Sequence, residues 1–189
     1  MPPKDLGGAK LAVVDPCVAS FLGGQRLKSF AERPANGTKG GILLLWNADS
    51  IKVECISFGT LFISAMITLV NSTTSFKLTS IYGPTRSNLK DAFFQELLCQ
   101  KSQQGTRWLV TGDFNQVYRA RDKNRTNVDR SRLVRFQNTL NSCELKEIHL
   151  QNRRFTWTNE QANPTMSKLD SFFYNQDWDV EFGSHILHA

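Results

Sequence analysis

The chain has 189 residues, 40% hydrophobic and 21% charged, which is the make-up of one globular domain and argues against wholesale disorder, collagen and coiled coil. Four cysteines (17, 55, 99 and 143) without a CxxC pair argue against a disulfide scaffold, a zinc ribbon or a redox motif, and read as reduced, mostly buried thiols. Lys plus Arg is 23 against 17 Asp plus Glu, a formal charge of +6 that points to an anionic partner such as nucleic acid.

Residues 1–40 are rich in Gly, Pro and small side chains and have no clear period, so 1–39 is read as a poorly defined N-terminal segment of a single domain. It holds no signal-peptide core, and no apolar run nears the roughly 20 residues needed to cross a bilayer. An intracellular, reducing location is therefore expected, and the N-x-[ST] triplets at Asn36, Asn71 and Asn124 read as chance. Asn36-Gly37 followed by Gly40-Gly41 is turn chemistry. After it, Gly41–Trp46 reads as a buried strand, and Ile51–Phe58 alternates as a half-buried one. Leu61–Leu69 and Phe76–Tyr82 follow as strands, the last stopped by Gly83-Pro84.

Ser87 is the predicted N-cap of a helix whose apolar face carries Leu89, Phe93, Phe94, Leu97 and Leu98, with Gly105 ending it. Trp108–Thr111 is a short strand that runs into Gly112-Asp113-Phe114-Asn115. Residues 119–135 then hold seven basic side chains and two acids, predicted as a loop leading to a second helix near Ser131. Phe155–Thr158 and Met166–Tyr174 complete the strand candidates. The stretch 41–82 leaves no room for crossover helices, so the pattern is α+β with mostly antiparallel sheets.

Three places could carry chemistry. Asp113 and Asn115, two residues apart at a strand end, can point into one cleft, where an acid activates water or holds a metal and an amide meets a phosphate. The same residues also suit a strand closed by an Asx turn. Tyr82, at the end of Ser80-Ile-Tyr82, offers a hydroxyl to a phosphate or is a half-buried ring before a turn. Asp170, in Ser167-Lys-Leu-Asp170, is either paired within its strand or faces outward.

Taken in order, Tyr-Gly-Pro, Gly-Asp-Phe-Asn and Ser-Lys-Leu-Asp resemble the motif series of the endonuclease/exonuclease/phosphatase superfamily, with its DNase-I-like fold. The similarity is strongest to the endonuclease domain of plant-type non-LTR (LINE) retroelements. It is carried also by Gly40–Trp46, Leu145–Leu150 and Phe155–Asn159 and spans roughly residues 10–188. The resemblance implies a four-layer α/β/β/α sandwich of two mostly antiparallel sheets, and Mg²⁺-assisted phosphodiester hydrolysis on nuclear DNA. It implies that Asp113 positions the attacking water near the metal and Asn115 contacts the scissile phosphate. Tyr82 would add a phosphate hydrogen bond, and Asp170 would orient a histidine. Arg119, Arg121, Lys123 and Arg125 would hold nucleic acid.

Other parts of the family pattern are not matched. Gly8-Ala-Lys-Leu11 takes the place of Glu-Thr-Lys-Leu, so the metal-binding Glu is not found, and Asp5 is a remote substitute. Trp46-Asn47 comes too late to be the family's first motif, and His149, read as structural, His185 and His188 do not match its Ser-Asp-His. A domain truncated at both ends, lacking its first and last strands and catalytically impaired, is the expectation. The alternatives are an active nuclease and a non-catalytic nucleic-acid binder using 119–135.

Overall fold

The computed structural model describes residues 14, 16–24, 26–35, 40–184 and 186–188. The Asn36-Gly37 turn, Asp5, the Gly8–Leu11 stretch and His185 lie outside them. The central element is a six-stranded sheet, built first from an antiparallel meander of β3 (Ile51–Phe58), β4 (Phe62–Leu69) and β5 (Ser75–Tyr82). No crossover helix interrupts it, as the spacing of turn residues predicts. β5 then pairs in parallel with β6 (Trp108–Asp113), which parallel geometry allows only through a crossover. That crossover is α2 (Lys90–Cys99). β11 (Asp170–Tyr174) adds antiparallel to β6, and β7 (Lys146–Glu147) closes the far edge.

One face of this sheet carries α2 and α3 (Arg130–Ser142). Phe93, Phe94 and Leu97 of α2 and Phe136 and Leu140 of α3 meet Trp108, Val110 and Phe173 of the sheet. Phe94 stacks on Phe136 with centroids 5.6 Å apart, and Phe114 meets Phe173 edge-on at 5.2 Å. The other face takes the antiparallel ribbon of β1 (Ser29–Arg33) and β2 (Ile42–Trp46), over β4 and β5. Ile63, Ala65 and Ile67 of β4 are buried, as are Ala31 and Ile42 of the ribbon. α1 (Pro16–Gly23) packs on β2, so the layers run helix, sheet, sheet, helix, the architecture expected. The remaining pieces are short: β8 (Leu150–Gln151) pairs in parallel with β12 (Leu187–His188), and β9 (Trp157–Thr158) pairs with β10 (Met166–Ser167). α4 (Gln176–Phe182) is capped by Asn175 and sets Trp178 edge-on against Phe76.

Several expectations are corrected. α1 and β1 lie in a segment without visible period; α1 is short, and β1 is held by its pairing with β2. The β3 alternation fails beyond Val53, because a bulge between Glu54 and Ser57, with Cys55 at φ 51°, breaks the register on an edge strand whose second half is exposed. Ser87 does not cap α2: a 3₁₀ turn over Ser87–Leu89 leads into the helix and no side chain caps either element. α2 ends at Cys99, and Gly105 instead occupies a later turn at φ 82°. Met166–Tyr174 is two strands, since Asn124 and Asp122 take the backbone N–H groups of Met166 and Lys168. Three of the four thiols are exposed, and only Cys143 is buried; none is in a disulfide among the described residues. No helix there is long and apolar enough to cross a membrane.

Candidate active site

The register of the central sheet assembles the site. Asp113 pairs with Tyr82 of β5 on one side and with Asp170 of β11 on the other. Residues paired in register point to the same face, so the three side chains form one row across three strands. The row lies on the face away from α2 and α3, and the Tyr82 ring rests against the backbone of Gly40. Asp113 and Tyr82 are half-buried, whereas Asp170 is exposed. Asp170 is therefore the outward-facing acid, yet it faces its neighbour in the row.

The backbone after Asp113 is tightly held. Asn115 takes a left-handed conformation, φ 47°, and its N–H donates to Asp113 Oδ1 at 2.7 Å. Its side-chain amide donates to Gly83 O at 2.9 Å and to Asp113 Oδ2 at 3.2 Å. The Asx turn is thus present, and it is what aims the Asp113 carboxylate. Gly83 N donates back to Asp113 O at 2.6 Å, so the Gly-Pro turn and the Gly-Asp-Phe-Asn turn are laced together. Gly83 has no alternative, because a Cβ there would overlap the Phe114 carbonyl. Gly112, at φ 135°, would push a Cβ into the Ile81 carbonyl oxygen.

Sequence reasoning missed two members of this assembly. Lys90, only 1% exposed, reaches from the first turn of α2 to the carbonyls of Asn115 (2.6 Å) and Phe114 (3.2 Å). Its signal was a lysine standing four residues before Phe94, on the buried stripe. Burial pulls its ammonium down to about 8, the Arg132 guanidinium pushes the same way, and the Asp113 carboxylate opposes them. Thr156 is the second: its hydroxyl accepts the N–H groups of Leu169 (3.0 Å) and Asp170 (3.1 Å) and so fixes the start of β11.

Burial raises the Asp113 carboxyl above the ordinary aspartate range; the Asn115 N–H opposes this, the Asp170 carboxylate adds to it and the Lys90 ammonium opposes it. Two carboxylates facing one another, one raised by the other, fit a hard divalent cation, since Mg²⁺ is commonly held by one or two carboxylates together with substrate phosphates. Among the described residues no third His, Cys, Asp or Glu joins them in a metal-holding cluster.

The basic residues are engaged in different ways. Lys123 pairs with Ser167 in a single bridge, donates to Asn127 O, and shares with Asn115 a cavity of about 210 Å³. Arg125 donates to Asn163 O at 2.7 Å and so ties the β9–β10 hairpin. Arg119 pairs with Glu147 and lies 4.6 Å from the Tyr118 ring centroid. Arg119 and Arg121 line a second cavity, where His149 is exposed in the wall rather than packed as a core residue.

The profile of the Endonuclease/Exonuclease/phosphatase family matches residues 4–188. The chain belongs to the endonuclease/exonuclease/phosphatase family. Its fold is shared with the endonuclease domain of TRAS1, a telomere-specific non-LTR retrotransposon, at a TM-score of 0.60 and 13% identity, over 78% of this chain and 68% of that one. It is shared also with D. rerio TDP2 complexed with single-strand DNA product, at a TM-score of 0.56 and 12% identity, over 86% and 68% of the two chains. The human Nocturnin catalytic domain follows at a TM-score of 0.50 and 14% identity, over 78% and 60%. Among curated proteins none matches significantly.

Proposed function

We propose that this member of the endonuclease/exonuclease/phosphatase family is a nucleic-acid-directed phosphodiester hydrolase of retroelement origin, slow as it stands, that uses a divalent cation and acts on nuclear DNA. The observation that carries the reading is the row Tyr82–Asp113–Asp170, aligned at one end of three adjacent strands. Asp113 would hold the cation, with Asp170 beside it; when bound, such an ion stabilises charge on a phosphate. Around it the chain's own groups have separate tasks. The Asx turn and Lys90 hold Asp113 in place, and Tyr82 offers its hydroxyl to a phosphate oxygen. Asn115 acts through the turn, because its amide hydrogens are held by Gly83 and Asp113. The slow rate is inferred from the sequence, where Gly8-Ala-Lys-Leu11 stands in the place of the family's Glu-Thr-Lys-Leu. Asp170 pairs in register with Asp113, and its role is toward that carboxylate.

The test is nicking of supercoiled plasmid by the purified chain, with Mg²⁺ or with chelator, beside Asp113→Ala. Weak metal-dependent nicking that disappears in the variant is expected. Wild-type nicking no greater than the chelator control would refute hydrolysis. A second reading, a binder of nucleic acid without catalysis, is favoured by the net positive segment 119–135 and would survive that outcome.

A further inference from the structure

Five cationic side chains, Arg119, Arg121, Arg153, Arg154 and Lys168, surround a cavity of about 240 Å³ between the loop after β6 and the segment after β7. It shares no lining residue with the Tyr82–Asp113–Asp170 row. Two carboxylates oppose these cations, and both are already engaged. Glu147, beneath the cavity, takes Arg119 and Lys168. Asp122, in the wall, accepts the backbone N–H of Arg119 at 2.7 Å.

That leaves three arginines on the rim without a carboxylate partner among the described residues: Arg121, Arg153 and Arg154. Arg121 and Arg154 are nonetheless held together. Arg154 donates to the Arg121 carbonyl at 3.3 Å and lies 5.0 Å from the Phe155 ring centroid. The five cations outnumber the two carboxylates by three, and a multiply charged anion among them relieves the repulsion of the excess. Guanidinium forks match phosphate oxygens in pairs, which an ammonium does not. Arg119 stands four residues after Asn115 on the same loop, which joins this rim to the Asp113 row along the chain.

We infer that this arginine-rimmed cavity is a second phosphate site, which takes a phosphate group of a nucleic-acid strand away from the one being hydrolysed. The inference rests on the reading of the partner as nucleic acid. The ligand is a backbone phosphate within the strand or the phosphate at its 5′ end, and the experiment separates the two.

The full chain is titrated against labelled single-stranded and duplex oligonucleotides, each 5′-phosphorylated or 5′-hydroxyl, from 50 to 200 mM salt. Chelator is present throughout, so no hydrolysis contributes. The variant carries Arg121→Ala, Arg153→Ala and Arg154→Ala, all exposed positions whose loss leaves the core intact. Affinity should fall roughly tenfold and the salt slope should lessen by about one. Lys52→Ala, on the distant edge strand β3, should change neither. The triple Arg→Lys version should keep the slope while losing part of the affinity, which shows that charge and fork geometry act rather than folding. An equal loss on both kinds of oligonucleotide assigns an internal phosphate; a loss confined to the 5′-phosphorylated set assigns the terminal one. A triple alanine variant that binds with wild-type affinity and slope, or a wild type that binds no oligonucleotide, overturns the inference. The hydrolytic reading is judged by Asp113→Ala in the nicking assay and this one by the triple arginine variant in the binding assay, so the two fail in different experiments.

Discussion

Lys90 gives the sharpest test, because a buried ammonium must show itself in stability against pH. Its value in the folded chain is about 8, against an ordinary 10.5. Between these two values the unfolded chain binds the proton and the folded chain does not, so stability rises with pH across that window. Below pH 8 both states are protonated and the penalty for burying the charge is fully present. The depression corresponds to about 3 kcal/mol in all, of which about 2 kcal/mol is recovered between pH 7 and pH 9.5. Lys90→Met removes the titration. It also strips the Phe114 and Asn115 carbonyls of their donor, at about 1–3 kcal/mol each, so at pH 7 loss and relief nearly cancel. Urea denaturation of both proteins from pH 7 to 9.5 should show the gap between them moving by about 2 kcal/mol in favour of the wild type. Parallel curves would mean that the ammonium is not desolvated, and the account of how the Asp113 turn is held would fail with it.

Gly112→Ala should lower stability by roughly 2–4 kcal/mol, because it adds a left-handed penalty to a backbone overlap at Ile81; an unchanged denaturation midpoint would refute that. Asp170→Asn removes the carboxylate that raises Asp113, so the Asp113 carboxyl should titrate at lower pH by ¹³C NMR. An unmoved Asp113 titration would show that the two acids do not sense one another across the strands. Burial pushes the Cys143 thiol up to about 11, with the Lys101 ammonium opposing, while Cys17, Cys55 and Cys99 are exposed. A thiol reagent at pH 8 should therefore modify three cysteines promptly and the fourth only on unfolding, and four equal rates would contradict the packing.

The parts legible in the sequence were those where local pattern and tertiary demand agree. From Ile42 to Tyr82, β-branched and apolar runs are punctuated by Asn, Gly and Ser, and the meander follows. The two motif acids and Tyr82 were legible as lying at or near strand ends; that they share one row is a matter of register between strands, which no single segment encodes. β7, β8 and β12 have two residues each and exist through pairing alone. Lys90 was invisible for a related reason. A lysine on a helix reads as solvated unless the two carbonyls awaiting it are known, and those belong to a turn 24 and 25 residues away. The basic run 119–135 was legible as charge but not as arrangement: its residues divide between the hairpin tie, ion pairs and two separate cavities.

The order in which the strands join has a kinetic consequence. The meander β3–β4–β5 closes over short turns, whereas Asp113 meets Asp170 only after a loop of 57 positions is closed. The Tyr82–Asp113–Asp170 row is therefore assembled late, when β11 docks on β6, and its last member arrives late even on the ribosome. Pulse-labelled amide exchange during refolding should protect Ala65 and Thr79 before Phe173. A chain in which β11 is lost would keep its meander, its crossover helix and half its charge pair, and would be left with the Asp113 strand as an open edge for another chain to fill.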